Sequence, residues 1–369
     1  MSEPTAVPYL DLKQQIKNLR PELDAALARS LDNCSFCLGP DVEAFEQEFA
    51  NFHEARHAIG FNSGTSALHV CMKLHDIGPG DEVIVPPFTF AATGWAVSYT
   101  GAKPVFVDIE PNTFCLDPEK LEAAINERTK AVMPVHLYGH PCAMDEIREV
   151  CARHDLPIVE DAAQAHAAKY KGRFVGTIGE MGCFSFYPGK NLGACGEGGA
   201  MVTNSDAHAE RARALRNHGS RERYLHDEVG FNYRMEGFQA ATLRVKLKRL
   251  NEWTEARRRI AGRYSELLRG TELTLPRESQ DVQSAWHLFV LRHPRRDELA
   301  KHLAENQVGY GVFYPIPLHL QKCYADLGYQ PGDLPVSEQA AKEVLSLPIF
   351  PELTDAQIER VAEVVNSFS

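Results

Sequence analysis

The chain has 369 residues, of which 44% are hydrophobic and 24% charged, a globular composition that excludes disordered, collagen-like and coiled-coil arrays. At about 100–200 residues per domain this length allows two or three domains and a sizeable core. Lys+Arg 39 against Asp+Glu 50 leaves a net charge of −11, which disfavours nucleic acid and anionic membrane as partners and requires a dedicated pocket for any anionic ligand.

No apolar run approaches the ~20 residues that span a bilayer. The opening MSEPTAVPYLDLKQQ lacks the basic segment and apolar core of an export signal. A cytoplasmic protein is expected, with its nine cysteines reduced. Only Cys34 and Cys37 form a CxxC, readable as a redox or metal pair or as two small loop residues. No second pair follows at metal-site spacing, and no metal is expected.

Along the first two thirds, short apolar runs alternate with helical patterns. DEVIVPPFTF (81–90), KPVFVDI (103–109), KAVMPVHLYG (130–139), LPIVEDAAQ (156–164), GCFSFYP (182–188) and GAMVTN (199–204) read as buried strands. GTSALHVCMKLH (64–75), DPEKLEAAIN (117–126), AMDEIREVCARH (143–154) and DAHAERARALRNH (206–218) read as helices. The alternation predicts a mainly parallel sheet with helices on both faces.

Residues 236–268 then read as one long charge-laced helical stretch carrying Phe238, Leu243, Leu247, Leu250, Trp253, Ile260 and Tyr264. A smaller unit follows: strand WHLFVLR (286–292), helix RDELAKHLAEN (296–306), the segment FYPIPLHLQ (313–321), and a last helix opened by a Thr354–Gln357 capping box. The expected domains are 1–245 and 246–369. The run Arg257, Arg258, Arg259 reads as a solvated helix face, with contact to a sugar diphosphate as the alternative.

Four local features bear on chemistry. FNSGTSAL (61–68) places a Ser-Gly-Thr turn at a helix start, either an ordinary cap or an anion cradle suited to phosphate. IVEDAAQAH (158–166) ends a strand in an acidic pair. Asp161 there either caps a following helix or faces the crevice at the carboxyl ends of the strands. SFYPGKNLGACGEGGA (185–200) holds Lys190 in a glycine-rich loop, as a solvated residue or as an amine whose pKa is lowered by a pocket. GFNYRM (230–235) precedes the long helix, where Asn232 and Arg234 either decorate it or bind. Together they supply what pyridoxal 5′-phosphate (PLP) needs: an amine, a carboxylate and a phosphate cradle.

The order of phosphate loop, acid and lysine resembles the aspartate-aminotransferase-like, fold type I PLP enzymes, an α/β class with a large seven-stranded-type sheet domain and a smaller C-terminal α+β domain. More narrowly, LDLKQQ (10–15), LGPDVEAFEQEFANF (38–52), the pairing of EDAAQAH with SFYPGKNLGACGEGG, and FYPIPLHLQ resemble the DegT/DnrJ/EryC1/StrS family of sugar aminotransferases. The resemblance implies that Lys190 is catalytic and holds PLP as a Schiff base, and that Asp161 pairs with the ring nitrogen. It further implies that Gln164 meets the ring hydroxyl, Gly64, Thr65 and Ser185 bind the phosphate, and Phe90 stacks on the ring. Asn232 would reach the phosphate from a neighbouring subunit, making a homodimer with composite sites. Arg234 and Tyr314 are candidate substrate contacts.

The implied reaction moves an amino group from L-glutamate to a nucleotide-linked keto-sugar. QAATLRVKLKRLNEW (239–253), EDAAQAH and YPIPLHLQ are most similar to members acting at C3 of dTDP-3-keto-6-deoxyhexoses. UDP-3-keto-uronate and NDP-4-keto-sugar aminotransferases are the alternatives, and a PLP-dependent sugar dehydratase is a further one, against which the presence of Lys190 argues. Three positions depart from the family pattern: Phe313 stands where a His is usual, Ala167 where a Gly is usual, and Cys195 where an aromatic is common.

Overall fold

A computed structural model describes residues 6–222 and 224–368. Residues 1–5 of the segment read for an export signal lie outside it. The strands are β1 (His57–Phe61), β2 (Glu82–Val85), β3 (Lys103–Phe106), β4 (Thr129–Val132), β5 (Val159–Asp161), β6 (Lys169–Tyr170), β7 (Arg173–Phe174), β8 (Met181–Ser185), β9 (Gly199–Thr203), β10 (Val282–Gln283), β11 (Phe289–Arg292) and β12 (Val344–Leu347). Two ladders, β1-β9-β8-β5 and β3-β2-β4, are joined by parallel bridges Val132↔Ile158 and Val135↔Asp161. The result is one seven-stranded sheet in the order β1-β9-β8-β5-β4-β2-β3. Only β9 runs against its neighbours, antiparallel to β1 and β8, whereas β5–β8, β2–β3 and β2–β4 are parallel. This is the fold type I α/β architecture.

The main helices are α1 (Leu12–Asp32), α2 (Pro40–Phe52), α3 (Gly64–Leu74), α4 (Ala91–Ser98), α5 (Pro118–Leu121), α6 (Met144–Arg153), α7 (Asp206–Arg216), α8 (Gly237–Leu247), α9 (Leu250–Leu267), α10 (Arg296–Glu305), α11 (Pro335–Glu343) and α12 (Asp355–Asn366). Alternation along each strand sends neighbouring side chains to opposite faces. Ile84, Phe184, Ala200 and Val202 join Phe45 and Phe49 of α2, Ile147 of α6 and Leu243 of α8 in one core. Val83, Val85, Met181, Cys183 and Met201 join Leu68, Cys71 and Met72 of α3 and Ala96 of α4 in the other. Helix α3 is apolar nearly all round and lies buried against the sheet beneath outer helices.

A third core gathers Ile260 and Tyr264 of α9, Phe289 and Leu291 of β11, Leu345 and Leu347 of β12, and Ile358 and Val361 of α12. Val7 packs into it and bonds Gln307 and Gly309 through its backbone. The Thr354–Gln357 capping box opens α12 as the sequence predicts. No helix among the described residues is long and apolar enough to cross a membrane.

Three expectations need correction. Residues 236–268 form two helices rather than one, because the chain breaks at Lys248 and Arg249 between α8 and α9. The predicted strand 130–139 stops at Val132. Pro134 cannot donate to the ladder, and the backbone turns at Tyr138 with φ 59°. Arg257 is not solvated: it is 3% exposed, and its Nη1 donates to the carbonyl oxygens of Trp286, His287 and Ile349 at 3.2, 3.1 and 2.9 Å. Of that run, only Arg259 is exposed.

Candidate active site

Parallel strands leave their carboxyl ends along one edge of the sheet, and ligands of open α/β folds bind in the crevice outside those ends. β5 terminates there at Asp161 and β8 at Ser185. No helix follows Asp161 directly, so it caps none. Its Oδ1 accepts from the Ala163 backbone N–H at 3.1 Å and its Oδ2 from the Thr93 hydroxyl at 2.7 Å. Asp161 is 4% exposed. Burial pushes its carboxyl pKa up, and the Thr93 and Ala163 bonds, with the positive charge of Lys190, oppose that rise.

The preceding acid has a different job. Glu160 is fully buried and accepts from the backbone N–H groups of Gly176, Ile178 and Gly179 at 2.6, 2.7 and 2.6 Å. His136 Nε2 lies 2.8 Å from its carboxylate. With these partners Glu160 is a structural bracket that fixes the end of β5.

Lys190 follows β8 in an irregular loop and lies partly accessible. Burial lowers its amine pKa from 10.5 to about 8, and Asp161 opposes that shift. No hydrogen bond or ion pair to the Lys190 amine occurs among the described residues. The loop itself is pinned on both flanks. Asn191 Nδ2 donates to Ala285 O at 2.8 Å, and its Oδ1 lies 3.1 Å from His287 Nδ1. The Lys246 ammonium, on buried α8, donates to Gly193 O at 2.7 Å, and Cys195 N donates to Gln239 Oε1 at 3.0 Å.

Gln164 accepts from Tyr138 N at 2.7 Å, and its Nε2 donates to the Tyr314 hydroxyl at 3.2 Å. Tyr314 lies in turn 6.2 Å from the Phe90 ring, centroid to centroid, and burial raises its hydroxyl pKa. Phe90 is 53% exposed at the start of α4. Thr93, on the same helix, carries the bond to Asp161.

The helix start predicted at 63–65 forms as expected: Ser63 caps α3 and accepts from Ser66 N at 3.1 Å. A Cβ at Gly64 would stand 2.8 Å from Ser185 Cβ, and one at Gly199 would run into the Ser63 carbonyl carbon and the Gly64 nitrogen. Only glycine lets the α3 N-terminus, the end of β8 and the start of β9 meet this closely. Thr65 is partly buried in the first turn.

The structure therefore brings together Lys190, Asp161, Gln164, Tyr314, Phe90, Gly64, Thr65 and Ser185. Asn232 and Arg234 pair instead with Asn217 and Phe61, and no hydrogen bond joins either to this group among the described residues. Asn62 Nδ2 donates to Asn232 O at 3.4 Å, and the Asn232 side chain is exposed. Arg234 Nη1 donates to Asn217 at 3.4 Å. Sequence reasoning missed Thr93, Tyr138, Asn191 and Lys246. Thr89 and Thr93 stand four apart at a helix start, with hydroxyls 3.0 Å apart, and that spacing was the available signal. Two of the atypical residues have a visible setting. Ala167 adopts φ 64°, the left-handed region that favours glycine. Phe313 packs 6.0 Å from the Tyr9 ring, and its carbonyl accepts from the Tyr138 hydroxyl.

The profile of the DegT/DnrJ/EryC1/StrS aminotransferase family matches residues 17–366. The chain is 48% identical to the dTDP-3-amino-3,4,6-trideoxy-alpha-D-glucose transaminase of Streptomyces venezuelae, covering 100% of this chain and 97% of that one. It is 44% identical to the UDP-N-acetyl-3-dehydro-alpha-D-glucosamine 3-aminotransferase of Acidithiobacillus ferrooxidans, covering 99% and 98%. Among solved structures, S. venezuelae DesV in complex with a ketimine intermediate superposes with a TM-score of 0.97 at 48% identity over 98% of both chains. The Bacillus subtilis NtdA structure, with bound cofactor PMP, superposes with a TM-score of 0.91 at 33% identity, covering 98% of this chain and 84% of that one.

Proposed function

The chain belongs to the DegT/DnrJ/EryC1/StrS aminotransferase family, and from that premise we propose that it transfers an amino group from L-glutamate to C3 of a nucleotide-linked keto-sugar, with a dTDP-3-keto-6-deoxyhexose as the acceptor. The protein is a PLP-dependent sugar-nucleotide aminotransferase. The observation that carries the reading is the buried Asp161 carboxylate in the same crevice as a lysine amine that has no partner of its own.

The residues present fit the cofactor. Lys190 offers an amine with a lowered pKa, Asp161 a buried anion, and the Gly64–Ser185–Gly199 junction a helix N-terminus with no Cβ in the way. Lys190 would hold the aldehyde carbon, Asp161 the ring nitrogen, and Gln164 the ring hydroxyl. Phe90 would cover the ring, and Gly64, Thr65 and Ser185 would bind the phosphate. Asn232 would reach the phosphate across a homodimer. When bound, PLP supplies an electrophilic carbon for amines and a protonated ring that draws electrons away from the reacting carbon.

The chain's own groups do the rest. Asp161, whose carboxylate form the Thr93 and Ala163 bonds favour against burial, would hold a proton on the ring nitrogen. Lys190 Nζ takes the proton from the donor's Cα and returns one to the sugar's C3, a task matched to a pKa of about 8. Gln164 is held by Tyr138 and Tyr314, so its amide presents one fixed orientation. Tyr314, with Phe90, lines the side where a sugar would enter. The −11 net charge is no obstacle to these anionic ligands, because the helix end and local hydroxyls bind them. Adding glutamate alone to the PLP-loaded protein, with no acceptor present, tests the donor half: the bound cofactor's absorption should convert to that of pyridoxamine phosphate. An unchanged spectrum with glutamate, but conversion with another amino acid, would overturn the donor assignment.

A further inference from the structure

We propose that His75, Glu180 and His208 form a binding site for a borderline divalent cation, zinc fitting best, at the edge of the sheet opposite the active site. One ligand atom from each lies within 4.8 Å of the others. His75 Nε2 stands 3.7 Å from Glu180 Oε2, and the two imidazole rings lie 5.4 Å apart at 75°. A tetrahedral zinc ion with bonds of about 2.0–2.1 Å spaces its ligands by roughly 3.3 Å, so side-chain rotation alone closes the set.

Two orphaned atoms point to a ligand. His75 Nε2 and His208 Nδ1 are both shut off from solvent and have no hydrogen-bond partner. A buried nitrogen lone pair or N–H without a partner is costly, and two of them, on histidines clustered with one carboxylate, are an arrangement that a cation can satisfy. Arg211, three residues along α7 from His208, is engaged by Asp76 and Glu228 at 2.8 and 3.0 Å. Two imidazoles and one carboxylate suit zinc over calcium or magnesium and leave a fourth position for water.

The location fixes the role. His75 ends α3, Glu180 immediately precedes β8, and His208 lies in the first turn of α7. The active site is at the other ends of α3 and β8. A cation here clips α3 and α7 to the sheet and serves stability rather than chemistry. Sequence spacing could not reveal it, because the three positions come from separate elements.

The test is a zinc titration of the PLP-loaded protein after chelator treatment, compared with His208→Ala and Glu180→Gln. The wild type should take up one equivalent that the variants bind at least tenfold more weakly. Zinc should raise the melting temperature of the wild type alone, with turnover unchanged in every form. X-ray absorption at the zinc edge should show imidazole and oxygen ligands without sulfur. Equal zinc affinity in wild type and both variants, sulfur ligation by the exposed Cys34, Cys37, Cys195 or Cys323, or no uptake by the wild type would each overturn the proposal. If His208→Ala fails to fold, Glu180→Gln decides alone, since that side chain is 51% exposed.

Discussion

At the scale of single residues, the crevice depends on two groups whose surroundings pull their pKa values toward each other. Burial lowers Lys190 to about 8 and raises Asp161. In the cofactor-free protein the amine is mostly protonated below pH 8 and mostly neutral above it. Borohydride trapping of added PLP should therefore rise about tenfold per pH unit up to 8 and level off beyond. A rate independent of pH, or label on a peptide lacking Lys190, would contradict the assignment. Lys190→Ala should lower turnover by more than about 10³-fold while PLP still binds noncovalently. Thr93→Val removes a bond to a charged acceptor worth about 1.5–3 kcal/mol. The Asp161 pKa should then rise further, and the acid limb of the kcat profile should move to higher pH, with kcat about tenfold lower and KM for the sugar little changed. Lys190 and Asp161 were legible in the sequence because each stands in a distinctive short motif. Thr93 was not, because its partner lies far along the chain and only the fold joins them.

At the scale of elements, three chain segments meet at glycines and the lysine loop hangs from α8. Gly199→Ala would press a methyl group into the Ser63–Gly64 backbone. It should cost about 1–3 kcal/mol of stability and speed PLP loss on dialysis, whereas Gly262→Ala on α9, where a Cβ meets nothing, should retain PLP normally. Lys246→Ala strips the Gly193 carbonyl of its donor and should destabilise by a similar amount, measured by thermal melting with and without cofactor. Six of the seven strands of the large sheet were readable because buried strands are short, continuous apolar runs, whereas β1, whose HAIGF is broken by His57 and Gly60, and helices α1, α2 and α4 were missed. The break between α8 and α9 was missed too, since the 3.6-residue pattern runs on through Lys248 and Arg249. The burial of Arg257 was equally hidden, because three backbone carbonyls of distant segments receive it.

At the scale of the whole molecule, the proposed homodimer makes a sharp prediction. If Asn232 serves the site of the neighbouring subunit, Lys190→Ala and Asn232→Ala proteins are each impaired, but a mixed dimer regains one intact site. Mixing the two after reversible dissociation should restore activity, and no recovery would place Asn232 and Lys190 in the same subunit's site. The acceptor pocket was only coarsely legible. The motifs point to the chemistry of the cofactor, while the proposed substrate contacts Tyr314 and Arg234 take their neighbours from remote segments. The most direct test of the central claim is isotopic: incubate the PLP-loaded enzyme with ¹⁵N-L-glutamate and a dTDP-3-keto-6-deoxyhexose, and locate the label in the sugar nucleotide. The ¹⁵N should appear at C3, and should be absent with Lys190→Ala; label at C4, or an unlabelled dehydrated sugar, would overturn the proposed function.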